Sequence, residues 1–274
     1  MSSLSQSAPL PHTISISDEI DEMTGDPNFM SSLARGIAVL RAFSNQHRTL
    51  TISQISHKTG ISRAAVRRCL YTLKMLGYAD AEGNNFRLTP KALTLGYSYL
   101  SSTPLATSAQ PCLNQISRQF NESCSLAVLD SNEVLYVCRS ATSRIMSVAL
   151  NVGSRLPAYC TSLGRVILAH MPEAALEQYF KNVTLRAFTD NTVVSQNGLM
   201  DIFAGIRESG YAVVEEELEV GLRSIAVPVR GASGNITAAL NISAQATRVS
   251  SKRMREDFLT TLQSGAIELS AMLP

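Results

Sequence analysis

The sequence predicts an α+β protein: an N-terminal winged helix-turn-helix, a linker helix, and a larger C-terminal domain of antiparallel strands and helices. Three observations predict it. A basic, acid-free helix, "ISRAAVRRCLYTLKMLGY", follows a short capped helix and a glycine turn. A hairpin pattern, "YADAEGNNFRLT", comes directly after it. Beyond Leu105, runs with strand alternation are interleaved with helical periods.

Composition narrows the class. The chain of 274 residues is long enough for two cores. No apolar run approaches a membrane span, and the N-terminus has neither a basic start nor an apolar segment of the secretory kind. Five cysteines at unpatterned spacing point to reduced thiols and a cytoplasmic setting. Four scattered histidines and no CxxC pair predict neither metal site nor cofactor. The net charge of +2 is unevenly spread: residues 1–30 carry −5, residues 31–91 carry +8, and the remainder −1. A basic module on a neutral body implies a polyanionic partner.

Residues 1–29 read as an acidic tail. The DNA-binding domain is expected over 30–89. In it "SSLARGIAVLRAFS" places Leu33, Ile37, Leu40 and Phe43 on one helical face. Thr51 and Gln54 have capping-box spacing, Gly60 would close that helix in the left-handed region, and Ser62 would cap the next. The second helix buries Val66, Leu70 and Leu73. Ser62, Arg63, Ala64, Arg67, Arg68, Tyr71 and Lys74 fall outside that stripe, as the face that would enter a major groove of double-stranded DNA. Arginine suits bidentate contact with guanine. Arg87 on the hairpin would reach phosphate or minor groove. Residues 90–104 form a linker helix opened by Pro90, with Leu93, Tyr97 and Leu100 as an apolar stripe that packs in the chain or against another subunit.

Residues 105–274 read as the effector-binding domain. Helix is expected over "TSAQPCLNQISRQFNES", then strands "CSLAVLD", "EVLYVCRS" and "IMSVALNV". Three helical segments follow, then strands "YAVVEE", "RSIAVPVR" and "NITAALNISA", and a final helix from Ser251. Helices on one side of the sheet are expected. No GxSxG elbow, P-loop or GxGxxG is present, so no catalytic residue is assigned. The acids Glu215–Glu219 read as solvated surface and Cys160 as a small core residue. Polar side chains amid small and apolar ones, namely Arg144, Arg155, Tyr159, Thr161, Ser162, Ser224, Asn241 and Ser243, suit a small ligand or, equally, satisfy backbone. An arginine among them would favour a carboxylate.

The stretches "SLARGIAVLRAF", "LTISQISHKTGISRAAVRRCLYTLKMLGY", "VGSRLPAYCTSLGRVILA", "GYAVVEEELEVGLRSIAVPVR" and "AALNISA" resemble the IclR family of bacterial transcription regulators. Through "GDPNFMSSLARG", "SSTPLATSAQP" and "LPAYCTSLGR" the chain is most similar to the subgroup that controls aromatic catabolism through the β-ketoadipate pathway. That subgroup responds to protocatechuate, 4-hydroxybenzoate or β-ketoadipate. The resemblance implies a GAF-like effector domain, homodimers made through the DNA modules and often paired into tetramers, and, for an activator, contact with RNA polymerase. The glycine–alanine pair of members that bind small 2-oxo acids falls on Ser162 and Leu163, and an aspartate of theirs falls on Val214; both departures argue for a larger ligand. Other contacts of the family fall on Ser224, Asn241 and Ser243. A pocket apolar through Met146, Leu163 and Val214 is then expected to pair a carboxylate with Arg144 or Arg155. The alternative is an enzyme acting on a small carboxylate, localised by its DNA module.

Overall fold

The computed structural model describes Ile20, Glu22, Met23 and residues 25–44, 47–142 and 150–273. The chain divides into two compact units between Tyr99 and Leu100.

In the first unit, α1 (Ser31–Arg41) packs against α3 (Arg63–Met75) across α2 (Ile52–Thr59). The capping box closes in both directions: the Gln54 amide donates to Thr51 Oγ1 at 3.3 Å, and the Thr51 amide donates to Gln54 Oε1 at 2.8 Å. Gly60, at φ 73°, ends α2, and the Ala65 amide donates to the Ser62 hydroxyl at the start of α3. Val66, Leu70 and Leu73 are buried, as the helical period predicts. The apolar face of α1 differs from expectation. Ala38, Val39 and Ala42 form its buried stripe, while Leu33 and Ile37 stay 59% and 48% exposed. Small side chains let α1 approach α3 closely, so packing overrides side-chain size.

Strands β2 (Ala79–Glu82) and β3 (Asn85–Leu88) make the predicted hairpin, with Gly83 at φ 59° in its turn. A two-residue strand, β1 (Leu50–Thr51), adds to its far edge in the order β1-β3-β2. Helix α4 (Leu93–Ser102) follows a short 3-10 turn at Pro90–Ala92.

The second unit is a six-stranded antiparallel sheet. Its order is β6 (Arg155–Pro157), β5 (Glu133–Ser140), β4 (Ser123–Asp130), β9 (Ile236–Gln245), β8 (Leu222–Arg230), β7 (Ala212–Glu215). Helices cover both faces, which corrects the one-sided arrangement expected from sequence. On one face lie α5 (Pro104–Phe120) and the C-terminal helix, in which α9 (Ser251–Arg253) runs through a π turn (Met254–Phe258) into α10 (Leu259–Ala271). On the other lie α6 (Ser162–Ala169), α7 (Glu173–Asn182) and α8 (Gln196–Ser209). Each face has its own apolar core, because the alternating side chains of the central strands are apolar in both directions. The strand expected over "IMSVALNV" lies largely outside the described residues, and Leu150–Val152 are not strand.

Every residue of α6 is buried. Gly164 presses on the turn before it: a β-carbon there would stand 2.2 Å from the Ala158 carbonyl oxygen. Gly205, on α8, has nothing within 4 Å of the same added atom. Gly164→Ala is therefore expected to destabilise this unit by about 3 kcal/mol through overpacking against backbone. Gly205→Ala should stabilise it by about 0.5–1 kcal/mol through helix propensity. Urea unfolding of both variants checks the opposite signs.

Candidate DNA-binding surface and effector cavity

The outer face of α3 is built by exclusion. With Val66, Leu70 and Leu73 inward, Ser62, Arg63, Ala64, Arg67, Arg68, Tyr71 and Lys74 are all exposed. Among the described residues none of its four cations is paired with a carboxylate. Their charge is left uncompensated, as a surface for a polyanion requires. On the wing, Arg87 is paired at 3.1 Å with Asp80, directly opposite it in the β2–β3 register. The Ala81 amide and Arg87 together hold the Asp80 carboxyl below its ordinary range. The wing is tied back to α3: Thr89 donates its hydroxyl to the Gly77 carbonyl at 2.6 Å, and Lys91 donates to the Leu76 carbonyl at 2.8 Å.

The second unit holds a cleft of about 560 Å³, open mouth included, between the sheet, the start of α6 and the β7–β8 turn. Its polar floor follows the sheet register. Arg139 on β5 stands opposite Ser125 on β4, which stands opposite Asn241 on β9; in the adjacent row Ser243 stands opposite Ser224. Thr161 and Ser162 bring the positive end of α6 to the same space. Tyr136, Leu150, Leu156, Val214, Leu218 and Leu222 supply apolar wall.

Several buried polar atoms in this cleft lack a partner among the described residues: Arg139 Nε, Ser162 Oγ, Asn241 Oδ1 and Glu219 Oε2. Arg139 donates from Nη1 to Ser125 Oγ at 2.8 Å and faces no carboxylate partner there. Burial lowers its pKa, and burial likewise raises that of Glu219. Uncompensated buried donors and acceptors are costly, and a ligand is the ordinary way to satisfy them.

Of the expected effector residues, the fold brings Thr161, Ser162, Val214, Ser224, Asn241 and Ser243 to the cleft. Leu163 is fully buried core, and the Tyr159 hydroxyl is bonded to the Arg186 backbone, donating to its carbonyl at 2.7 Å. Neither lines the cleft. Arg155 is a correction: it sits on edge strand β6 and pairs with Asp130 at 2.5 Å and Glu133 at 2.7 Å, so its charge is already met. Arg144 and Met146 lie outside the described residues.

Sequence reasoning missed Arg139 because of a β-bulge. The β4–β5 register shifts between Leu126 and Ala127, so Val137 and Cys138 both face the α5 core and Arg139 turns to the cleft with Tyr136. Strict alternation would have sent Arg139 to the opposite face. The one visible signal was an arginine inside an otherwise apolar strand.

Glu217 corrects the reading of the acidic run as solvated. It is 7% exposed and bound bidentately by Arg165, 2% exposed, with both contacts at 2.5 Å. Arg165 also donates to the Tyr159 carbonyl, and the Val193 amide donates to Glu217. The Thr192 hydroxyl donates to the Glu217 carbonyl at 2.6 Å. Cys160 is buried core as expected, its thiol pushed up to about 12 by desolvation. Among the described residues no cluster could hold a metal, and no helix is long and apolar enough to cross a membrane.

A winged helix-turn-helix beside a domain with a partly polar, ligand-sized cleft defines a DNA-binding regulator that senses a small molecule. The sequence profile described as "IclR helix-turn-helix domain" matches residues 32–83, and that described as "Bacterial transcriptional regulator IclR C-terminal" matches residues 97–271. The chain belongs to the IclR family of bacterial transcriptional regulators. It is 50% identical over 264 residues to the Pca regulon regulatory protein of Pseudomonas putida, covering 96% of this chain and 91% of that one. A crystal structure of a transcriptional regulator from Rhodococcus sp. RHA1 is 42% identical, with a TM-score of 0.79 over 89% of this chain and 98% of that one. The inducer-binding domain of PobR from Acinetobacter, solved as a double mutant with 3-hydroxybenzoic acid, is 32% identical, with a TM-score of 0.57 over 60% of this chain and 96% of that domain. The chain is therefore a transcriptional regulator of the Pca and PobR-like group. The enzyme alternative finds no support, since both matched profiles describe regulators.

Removing one partner of a buried ion pair strands the other. Glu217→Ala is expected to cost about 3–5 kcal/mol for that reason. Glu215→Ala, which removes a more exposed partner of Arg223, should cost about 1 kcal/mol or less. Urea titration of the two variants measures the contrast.

Proposed function

We propose that this protein controls genes of aromatic-acid catabolism in the bacterial cytoplasm, gripping its operator through α3 and releasing or reshaping that grip when a small carboxylate enters the cleft. Arg139 carries the reading. A buried arginine with no acid beside it, flanked by Ser125, Asn241 and the start of α6, is an anion site set in apolar walls. Similarity to the Pca regulon regulator and to the PobR domain supports an effector among protocatechuate, 4-hydroxybenzoate and β-ketoadipate. Arg139 replaces Arg155 in this proposal as partner of the ligand's carboxylate, with Ser162, Ser224, Asn241 and Ser243 fixing its orientation. The domain limits follow suit: 30–89 for DNA, 90–104 as linker, and 105–274 for the effector.

On the DNA side, Ser62, Arg63, Ala64, Arg67, Arg68, Tyr71 and Lys74 would meet the major groove and its phosphates, with Arg87 on the flanking backbone. One recognition helix covers too few base pairs for an operator, so a homodimer on a repeated site is proposed. The exposed Leu33, Ile37, Leu93 and Tyr97 are its candidate interface. RNA polymerase joins the partners where the protein activates. A ligand shifts the equilibrium between DNA-competent states only by its differential affinity for them.

Arg67→Ala with Arg68→Ala should weaken binding to a duplex selected by the wild-type protein by about ten-fold or more. If both meet phosphate, the slope of log affinity against log salt should flatten by roughly 2. Unchanged affinity and slope would remove α3 from the interface. Arg139→Ala should abolish calorimetric binding of the three acids while leaving duplex affinity intact, and Arg155→Ala should leave both. Ligand binding that survives Arg139→Ala would overturn the assignment.

A further inference from the structure

The cleft has a second end, and its chemistry is opposite to that of Arg139. Glu219 lies in the turn between β7 and β8, and its Oε2 is buried without a partner among the described residues. Its neighbour Glu217 is neutralised by Arg165, so Glu219 is the uncompensated acid in the lining. In the sheet, β4 and β9 separate β5 from β8. Three strand spacings of ~4.8 Å put the two backbones about 14 Å apart. An arginine side chain entering from one wall and a glutamate from the other narrow that span to the size of one substituted ring. Between them Ser162 and Asn241, both nearly fully buried, each present a polar atom with no partner among the described residues.

We propose that Glu219 reads the far end of the ligand: with the acid group on Arg139, its carboxylate accepts a hydrogen bond from a ring hydroxyl. This rests on the carboxylate reading above and narrows it to hydroxylated aromatic monoacids. A carboxylate accepts and does not donate, so a hydroxyl proton completes it. A ligand with a second carboxylate would set like charges against each other in a desolvated space. A ring without a hydroxyl would leave Oε2 desolvated and unmet. Desolvation already holds the Glu219 carboxyl above its ordinary range, consistent with an enclosed acceptor awaiting a donor.

Calorimetry on the full chain with benzoate, 4-hydroxybenzoate, protocatechuate and β-ketoadipate tests this. The wild type should bind the best hydroxybenzoate about ten-fold or more tightly than benzoate. Glu219→Leu should bring that ratio near unity while benzoate still binds. Glu219→Gln, the variant closer in shape, should narrow it and serves if the leucine variant does not fold. A hydroxyl preference unchanged in the folded variants, or β-ketoadipate bound more tightly than either hydroxybenzoate by the wild type, overturns the role of Glu219 and leaves the carboxylate reading standing. A wild type that binds none of the four acids overturns both.

Discussion

The bidentate pair of Arg165 and Glu217 is the contact on which the ligand-binding half depends. It joins three segments that are distant in sequence: the body of α6, the turn after β7, and the chain around Val193. Two buried charges are tolerable only when nearly every donor and acceptor is met, and here they are. The guanidinium also holds the Tyr159 carbonyl, so the turn leading into α6 is fixed by the same side chain. One wall of the cleft is thereby set in place, and the hydroxyls of Thr189 and Thr192 extend the bonding to the backbone of Glu216 and Glu217.

Local signals in the sequence were reliable where the interaction they report is local. The capping box at Thr51 and Gln54, the left-handed Gly60 and the Ser62 cap involve partners within a few residues, and each forms as spelled. The buried stripe of α3 follows from its period, and its basic face follows from that stripe. Helix α1 offered two apolar stripes, and the one of smaller residues is buried because a neighbouring helix comes close. No residue-by-residue scale of hydrophobicity contains that distance.

The cleft was legible only in part. Small polar residues amid apolar ones marked Ser162, Ser224, Asn241 and Ser243, and family resemblance pointed to the same positions. The charged members were misread. Arg155 looked free because Asp130 and Glu133 come from other strands or turns. Glu217 looked solvated because its partner lies 52 residues away. Arg139 was hidden by one extra residue in β5, which reverses the face of all that follows it. Long-range pairing and bulges are properties of the assembled sheet, and a period counted along one strand does not carry them.

The pressed contact between Gly164 and Ala158 has a consequence for how such a regulator changes its ligand over evolution. With no gap between α6 and the turn before it, the helix end at the cleft cannot slide to accommodate a bulkier guest. The opposite lip is different: Leu218 and Glu219 belong to a turn whose side chains face the cleft but whose packing is looser, with Val220 beside them fully outward. Substitutions there alter the shape and charge of the cavity without disturbing either core. The fold thus separates a fixed anchor for the acid group from a variable lip for the rest of the molecule. A lineage can retune what it senses at a few surface-near positions and keep its stability.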